Sequence, residues 1–168
     1  MEARRLSQPE PCSYELSLRI RHPFMDPAVL TREFALEPEY SFLVGDPRPS
    51  QSGLAPATVH AESYWLAIVA PSSWLIDMSF VAGPAAALTQ RNIGGAVARS
   101  LGLALSLIAM RLRSAHAALL NQIRSEGGQA SVLIALFPAT MSSFSLPPEV
   151  SRTFSELGVT LEFEFTDN

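Results

Sequence analysis

The sequence predicts an α+β fold: a two-layer sandwich with helices packed on one face of a mixed, largely antiparallel sheet, and a partly ferredoxin-like topology. Three observations carry this. Strictly alternating segments stand near both ends of the chain, "YELSLRIR" at 14–21 and "VTLEFEF" at 159–165, so the sheet has one apolar face and one polar face. Helical patterns separate strands at both ends, which requires crossovers and some parallel pairing. Apolar residues make up 48% of 168 residues, enough for one core in one domain.

Residues 1–12 are expected to be flexible. In the first strand Tyr14, Leu16, Leu18 and Ile20 share the inner face, and Glu15, Ser17, Arg19 and Arg21 the outer one. "MDPAVLTREFAL" follows as a helix. Asp26 suits the N-cap and Pro27 the first turn. Val29, Leu30, Phe34 and Leu36 form its apolar side, and Pro38 drives Glu37 out of the α region and ends it there. "YSFLV" at 40–44 reads as a short strand, and the Pro-, Gly- and Ser-rich residues 45–60 as a surface loop. Two apolar runs, 62–69 and 74–81, are joined by "APSS" as in a hairpin.

Pro84 opens a helical stretch that Gly94-Gly95 breaks or bends. One long helix then runs from about Ala96 to about Ser125. Its stripe is Leu101, Leu105, Ile108, Leu112, Ala115, Leu119 and Ile123. Leu103, Leu107 and Met110 make its first half apolar on a second side, which must meet the 84–95 segment or another subunit. "SLGLALSLIAM" at 100–110 would span only about 16 Å, half a bilayer core, so it reads as a buried helix with no membrane role. Gly127-Gly128 ends the helix, with Arg124 in the last turn. "ASVLIALF" at 130–137 is apolar on both faces and reads as a central strand. Pro147-Pro148 opens the last helix, Val150, Phe154 and Leu157 line its inner side, and Gly158 follows its end. In the last strand Val159, Leu161, Phe163 and Phe165 face in, while Thr160, Glu162 and Glu164 face out.

Several of these segments together resemble the bacterial domain-of-unknown-function family numbered 4279. The residues that carry the likeness are Leu18, Arg19 and Ile20; Asp26, Pro27, Leu30 and Thr31; Leu36 and Pro38; and Gly45, Asp46 and Arg48. "SYWLAIV", "LLNQIRSEGG" and "LPPEVSRTFSELGVTLEFEF" extend it to about two thirds of the chain. It departs at 71–100, where this chain carries extra material, with 84–100 expected as a family-specific insertion. The resemblance implies a bacterial protein and brings no activity with it.

Composition excludes several functions. The net charge is −4, and the basic residues are twelve arginines, without lysine, spread along the chain. That pattern offers no footprint for nucleic acid. It fits the coding bias of a GC-rich genome; bidentate recognition by selected arginines is the sharper alternative. Cys12 is the lone cysteine, and "MEARRLSQPEPCS" lacks an apolar signal core, so a reducing cytoplasm is the expected compartment. The chain contains no G-x-S-x-G, no G-x-G-x-x-G and no H-E-x-x-H, and a P-loop needs a lysine. His22, His60 and His116 fall on separate elements, with His116 expected on a partly exposed helix surface. No catalytic set, cofactor or metal is expected.

Four polar or aromatic features stand out. Glu162 and Glu164 lie two apart on one strand face, about 7 Å between backbones; if the first and last strands are neighbours, they face Arg19 and Arg21 in exposed pairs worth a few tenths of a kcal/mol each. Asp77, near Trp74, either points outward to an arginine or is a buried acid of raised pKa. Tyr64 and Trp65 project to opposite faces, so whichever faces the open side is a candidate aromatic anchor for a protein interface; the alternative role is core packing. "GDPR" at 45–48 is either a corner, with Asp46 accepting from backbone N–H groups, or a polar contact point formed by Asp46 and Arg48.

The expected function is a non-catalytic protein-interaction module, in its sharper form a toxin-neutralising, immunity-type protein. Its candidate partner-binding surface is the open sheet face and rim: Arg19, Arg21, Asp46, Arg48, Trp65, Glu162 and Glu164. The alternative is a small-molecule binder or enzyme with a pocket between sheet and helices near Asp77 and Trp74. Self-association through the apolar first half of the long helix, giving a homo-oligomer, is compatible with either.

Overall fold

Alternation in "SYELSLRIRH" makes a ten-residue strand, β1 (Ser13–His22), and β1 organises the rest of the sheet. The computed structural model describes residues 13–48, 58–69, 101–137 and 146–165. The other elements are α1 (Pro27–Phe34), β2 (Tyr40–Phe42), β3 (Ser63–Ile68), α2 (Leu101–Ala115), α3 (Ala117–Ser125), β4 (Gln129–Phe137), α4 (Pro148–Leu157) and β5 (Val159–Phe165). The expected strand 74–81 with Trp74 and Asp77, the 84–100 segment, residues 1–12 and most of the 45–60 loop lie outside the described residues.

The strands form one mixed sheet in the order β2-β3-β1-β4-β5. β1 runs antiparallel to β3 and to β4, β2 antiparallel to β3, and β4 parallel to β5 through the α4 crossover. The register lines Ala67, Leu18, Val132 and Leu161 into one row across four strands. The first three are fully buried, and helices cover this face. The architecture is therefore α+β, with the inner face of β1 where alternation placed it.

Helix α1 starts as its sequence requires: Asp26 Oδ1 accepts from the Ala28 N–H at 2.8 Å, and Pro27 occupies the first turn. It ends earlier than expected. Ala35 takes a left-handed conformation (φ 51°) and stops the helix before Pro38 can. The reversal turns Leu36 back against the core.

The expected helix 96–125 is two helices where it is described. α2 and α3 meet at an 80° bend at His116. Continuous periodicity hid the break, because every residue across it is compatible with a helix. The bend seats His116 in the interior, 8% exposed, with its ring centroid 4.8 Å from that of Phe34; the expectation of a surface histidine is thus overturned. The stripe shifts at the same point. Ala115 is exposed and Leu119 half-buried, while Leu120 and Ile123 enter the core. No single helix among the described residues is long and apolar enough to cross a membrane, and the α2–α3 pair is bent.

Phe163 and Phe165 lie beside Ile134 and Leu136 on the helix-covered side, as alternation requires, yet they are 38% and 69% exposed. β5 is the last strand of the sheet. Its seven residues extend about 23 Å and α4 only about 15 Å, so cover is best at Val159 and fades along the strand.

Candidate functional site

The outer face of the sheet holds most of the residues singled out from the sequence, in two separate groups. On the β1–β4–β5 side, Arg19 stands opposite Ser131, and Ser131 opposite Thr160. β1 and β5 are not neighbours: β4 lies between them, which corrects the expected direct pairing. Arg19 nevertheless reaches Glu162 across β4. Its Nε donates to Ser131 Oγ at 3.1 Å, and its terminal nitrogen ion-pairs with Glu162. Burial pushes the Glu162 carboxyl up, but hydrogen bonds from Arg19 and Ser131 and the charges of Arg19 and Arg21 outweigh this and hold it below its ordinary value. Arg21 turns the other way, and its Nε donates to Glu62 at 2.8 Å. Glu164 is exposed beyond this network, opposite Ala135. Arg19, Arg21, Arg124, Ser131, Thr160 and Glu162 line a hollow of about 210 Å³ here.

On the β2 side, Tyr40 and Phe42 occupy the outer-face positions opposite Leu66 and Tyr64. His60, Phe42 and Tyr64 stack in sequence, with ring centroids 3.5 Å and 5.2 Å apart, and Tyr40 is 68% exposed. Trp65 is not part of this surface. It is fully buried, stacks on Phe34 and donates from Nε1 to Thr31 Oγ1 at 3.1 Å. The open-face aromatic of that dipeptide is Tyr64.

"GDPR" is a corner. Gly45 takes φ 88°, Asp46 Oδ2 accepts from the Leu43 N–H at 2.7 Å, and the Asp46 carbonyl accepts from the His60 N–H at 2.9 Å. The expected loop 45–60 is paired at its base: Pro47 bridges Val59, and the Arg48 N–H donates to the Thr58 carbonyl. Asp26, Glu37 and Asp46 lie around a hollow of about 420 Å³ between the start of α1 and β2, walled by Thr31, Pro38, Phe42 and Leu43, with no basic residue among the described residues of its lining.

The seven expected contact residues therefore do not form one patch. Arg19, Arg21 and Glu162 share a site, Glu164 flanks it, Trp65 is in the core, and Asp46 and Arg48 lie past the end of β2, two strand spacings (about 10 Å) from β1 and four (about 19 Å) from β5. The sequence reading missed Tyr40, Phe42 and His60. The alternation in "YSF" was the available signal for the first two, but a three-residue strand has too short a pattern to show a face.

The histidines stay apart. His22 is buried at the end of β1, and its Nδ1 accepts from the N–H groups of Phe24 and Met25. Its Nε2 then carries the hydrogen and faces Glu126 Oε2 at 3.2 Å. Gly128 makes this fit possible, since a Cβ there would lie 2.4 Å from His22 Cδ2. Among the described residues no three His, Cys, Asp or Glu side chains gather in a way that could hold a metal ion.

No protein-family model, no curated protein and no solved structure matches the chain.

Proposed function

We propose that this chain is a non-catalytic protein-interaction module that receives a basic partner on the β2 side of its sheet. One observation carries the reading: three carboxylates, Asp26, Glu37 and Asp46, surround a hollow partly walled by Pro38, Phe42 and Leu43, and among the described residues its lining holds no basic side chain. Leu43, in its wall, is 38% exposed, and Tyr40, on the outer face of the adjoining strand, is 68% exposed. Aromatic groups next to uncompensated charge are what protein interfaces use for anchoring and steering, and a net charge of −4 attracts a basic surface at longer range.

The toxin-neutralising role belongs to the same proposal. An enzyme that acts on a polyanion has a basic active site, and an acidic, aromatic surface suits its occlusion. The bacterial, cytoplasmic setting and the resemblance to family 4279 are part of the proposal too. In support, Asp26 and Pro27 act as helix cap and first turn, and Gly45 and Asp46 form the corner, so the residues behind the likeness have defined local roles. Self-association has the support of Leu103 and Met110 on α2, 37% and 51% exposed. Light scattering at high concentration tests it, and a monomer throughout removes it.

The main test is capture from a bacterial host lysate with the wild-type chain and a Glu37→Lys/Tyr40→Ala variant, both positions being exposed. A basic protein held by the wild type and reduced at least about tenfold by the variant supports the reading. Equal capture by both, or capture of no basic protein, rejects it.

A further inference from the structure

The arginine-lined hollow at the β1–β4–β5 side is the least expected feature of an acidic chain. Its lining holds three guanidinium groups, of Arg19, Arg21 and Arg124, and one carboxylate, that of Glu162; Arg21 is paired with Glu62 and Arg19 with Glu162, so Arg124, bonded to the neutral Asn121, supplies the surplus positive charge. Two hydroxyls, of Ser131 and Thr160, lie among them. Ser131 is 6% exposed, and its Oγ accepts from Arg19 Nε. Glu162 binds both Arg19 and Ser131. A carboxylate thus already occupies the best-furnished part of the hollow, and it belongs to the protein's own last strand.

We propose that this hollow is a carboxylate-binding site, occupied in the free protein by Glu162 and open to exchange with the carboxylate of a ligand. Arg19 commits Nε to Ser131 and a terminal nitrogen to Glu162, out of five N–H donors. Arg124 donates to Asn121 Oδ1 at 2.9 Å and lies across Gly158, where a Cβ would come within 2.9 Å of Arg124 Nη1. Glycine at 158 therefore serves the left-handed backbone, φ 68°, and leaves room for the guanidinium. The hollow, about 210 Å³, has room for a carboxylate on a short carbon chain.

The helix ends temper the affinity. α3 ends just before Gly128 and α4 just before Gly158, and their terminal carbonyls carry partial negative charge, which Arg124 offsets. Binding on the order of millimolar is the expectation for so shielded a site. The ligand is either a small carboxylic acid or the acidic side chain or C-terminus of a peptide. The chemistry is shared, and the experiment separates the sources. The site lies across the sheet from the acidic hollow and needs no basic partner, so it stands or falls independently of the docking proposal.

The test is an NMR titration of the full chain, following the Ser131 and Thr160 amides at constant ionic strength. The probes are succinate and a short glutamate-rich peptide. Both should saturate in the wild type. Glu162→Gln should tighten binding about fivefold, by removing the resident carboxylate, and Arg124→Gln should weaken it by a similar factor. Tighter binding of the peptide assigns the site to a protein ligand; tighter binding of succinate assigns it to a small acid. Arg124 is exposed, so its variant keeps the test valid should Glu162→Gln disturb the strand. Equal affinities in all three proteins, or no saturation in any, overturn the proposal.

Discussion

On the β1–β4–β5 side of the outer face, charges are answered by side chains. Arg19 has Glu162, Arg21 has Glu62, and Ser131 links the first pair. At the β2 edge, where the start of α1 meets the sheet, Asp26 and Asp46 place their oxygens on backbone N–H groups, of Ala28 and Leu43. A neutral donor satisfies the hydrogen bond and, at Asp26, the helix N-terminus offsets part of the charge, but no side chain of opposite sign neutralises it as at Arg19 and Glu162. The same residue types thus yield a self-neutralised region and a charged one. What separates them is whether the sheet register brings an arginine within reach. Local turn chemistry builds the acidic side; pairing between strands distant in sequence builds the arginine side.

Removing Trp65 breaks the comparison at its base. Its indole fills the core beneath β3 and links α1 to the sheet, so Trp65→Ala should cost about 4 kcal/mol in urea unfolding. Loss of the Tyr64 and Phe42 environment should accompany it, read from their ring resonances. Gly128→Ala attacks the other side. The new methyl would meet His22 Cδ2 at 2.4 Å and the Ile123 carbonyl at 2.9 Å, and about 2 kcal/mol of destabilisation is expected from the same measurement.

Acid should act on the arginine side of the sheet and on the core at the α2–α3 bend in different windows. Burial, and next the charge of Arg111, depress the His116 pKa, while Glu33 opposes them. A histidine kept neutral in the fold binds its proton more readily when unfolded. Its contribution is complete above the ordinary 6.5 and is lost as pH falls through the folded value. Glu162 is also depressed, from 4.5, so its contribution is present above that value and is lost only as pH falls further. Unfolding midpoints measured from pH 7.5 to pH 3 should therefore decline in two stages. Glu162→Gln should flatten the lower stage alone; a variant with both stages intact would show that the Arg19 network does not contribute. The smallest effect is expected at Arg21→Gln. The Arg21 and Glu62 side chains are 48% and 38% exposed, and stability should change by less than about 0.5 kcal/mol in the same unfolding experiment.

Part of this arrangement was legible from short stretches alone. Asp26-Pro27 starts a helix by chemistry within three residues, and Gly127 and Gly158 end helices because they readily adopt a left-handed backbone. Alternation in β1 assigns its two faces whatever the strand is paired with. The candidate site was legible only in pieces: Asp46 as a corner and Arg19 and Glu162 as outward residues, but not the distance between them.

The amino-acid sequence by itself determined the α+β class, the start of α1, the ends of α3 and α4, and the side to which each strand residue points. All of these follow from interactions spanning a few residues. Tertiary structure decided that β4 separates β1 from β5, that His116 bends the long apolar stretch toward Phe34, and that Trp65 rather than Tyr64 enters the core. Each depends on which distant segment arrives alongside, and periodicity records a preferred face without naming the surface that will cover it.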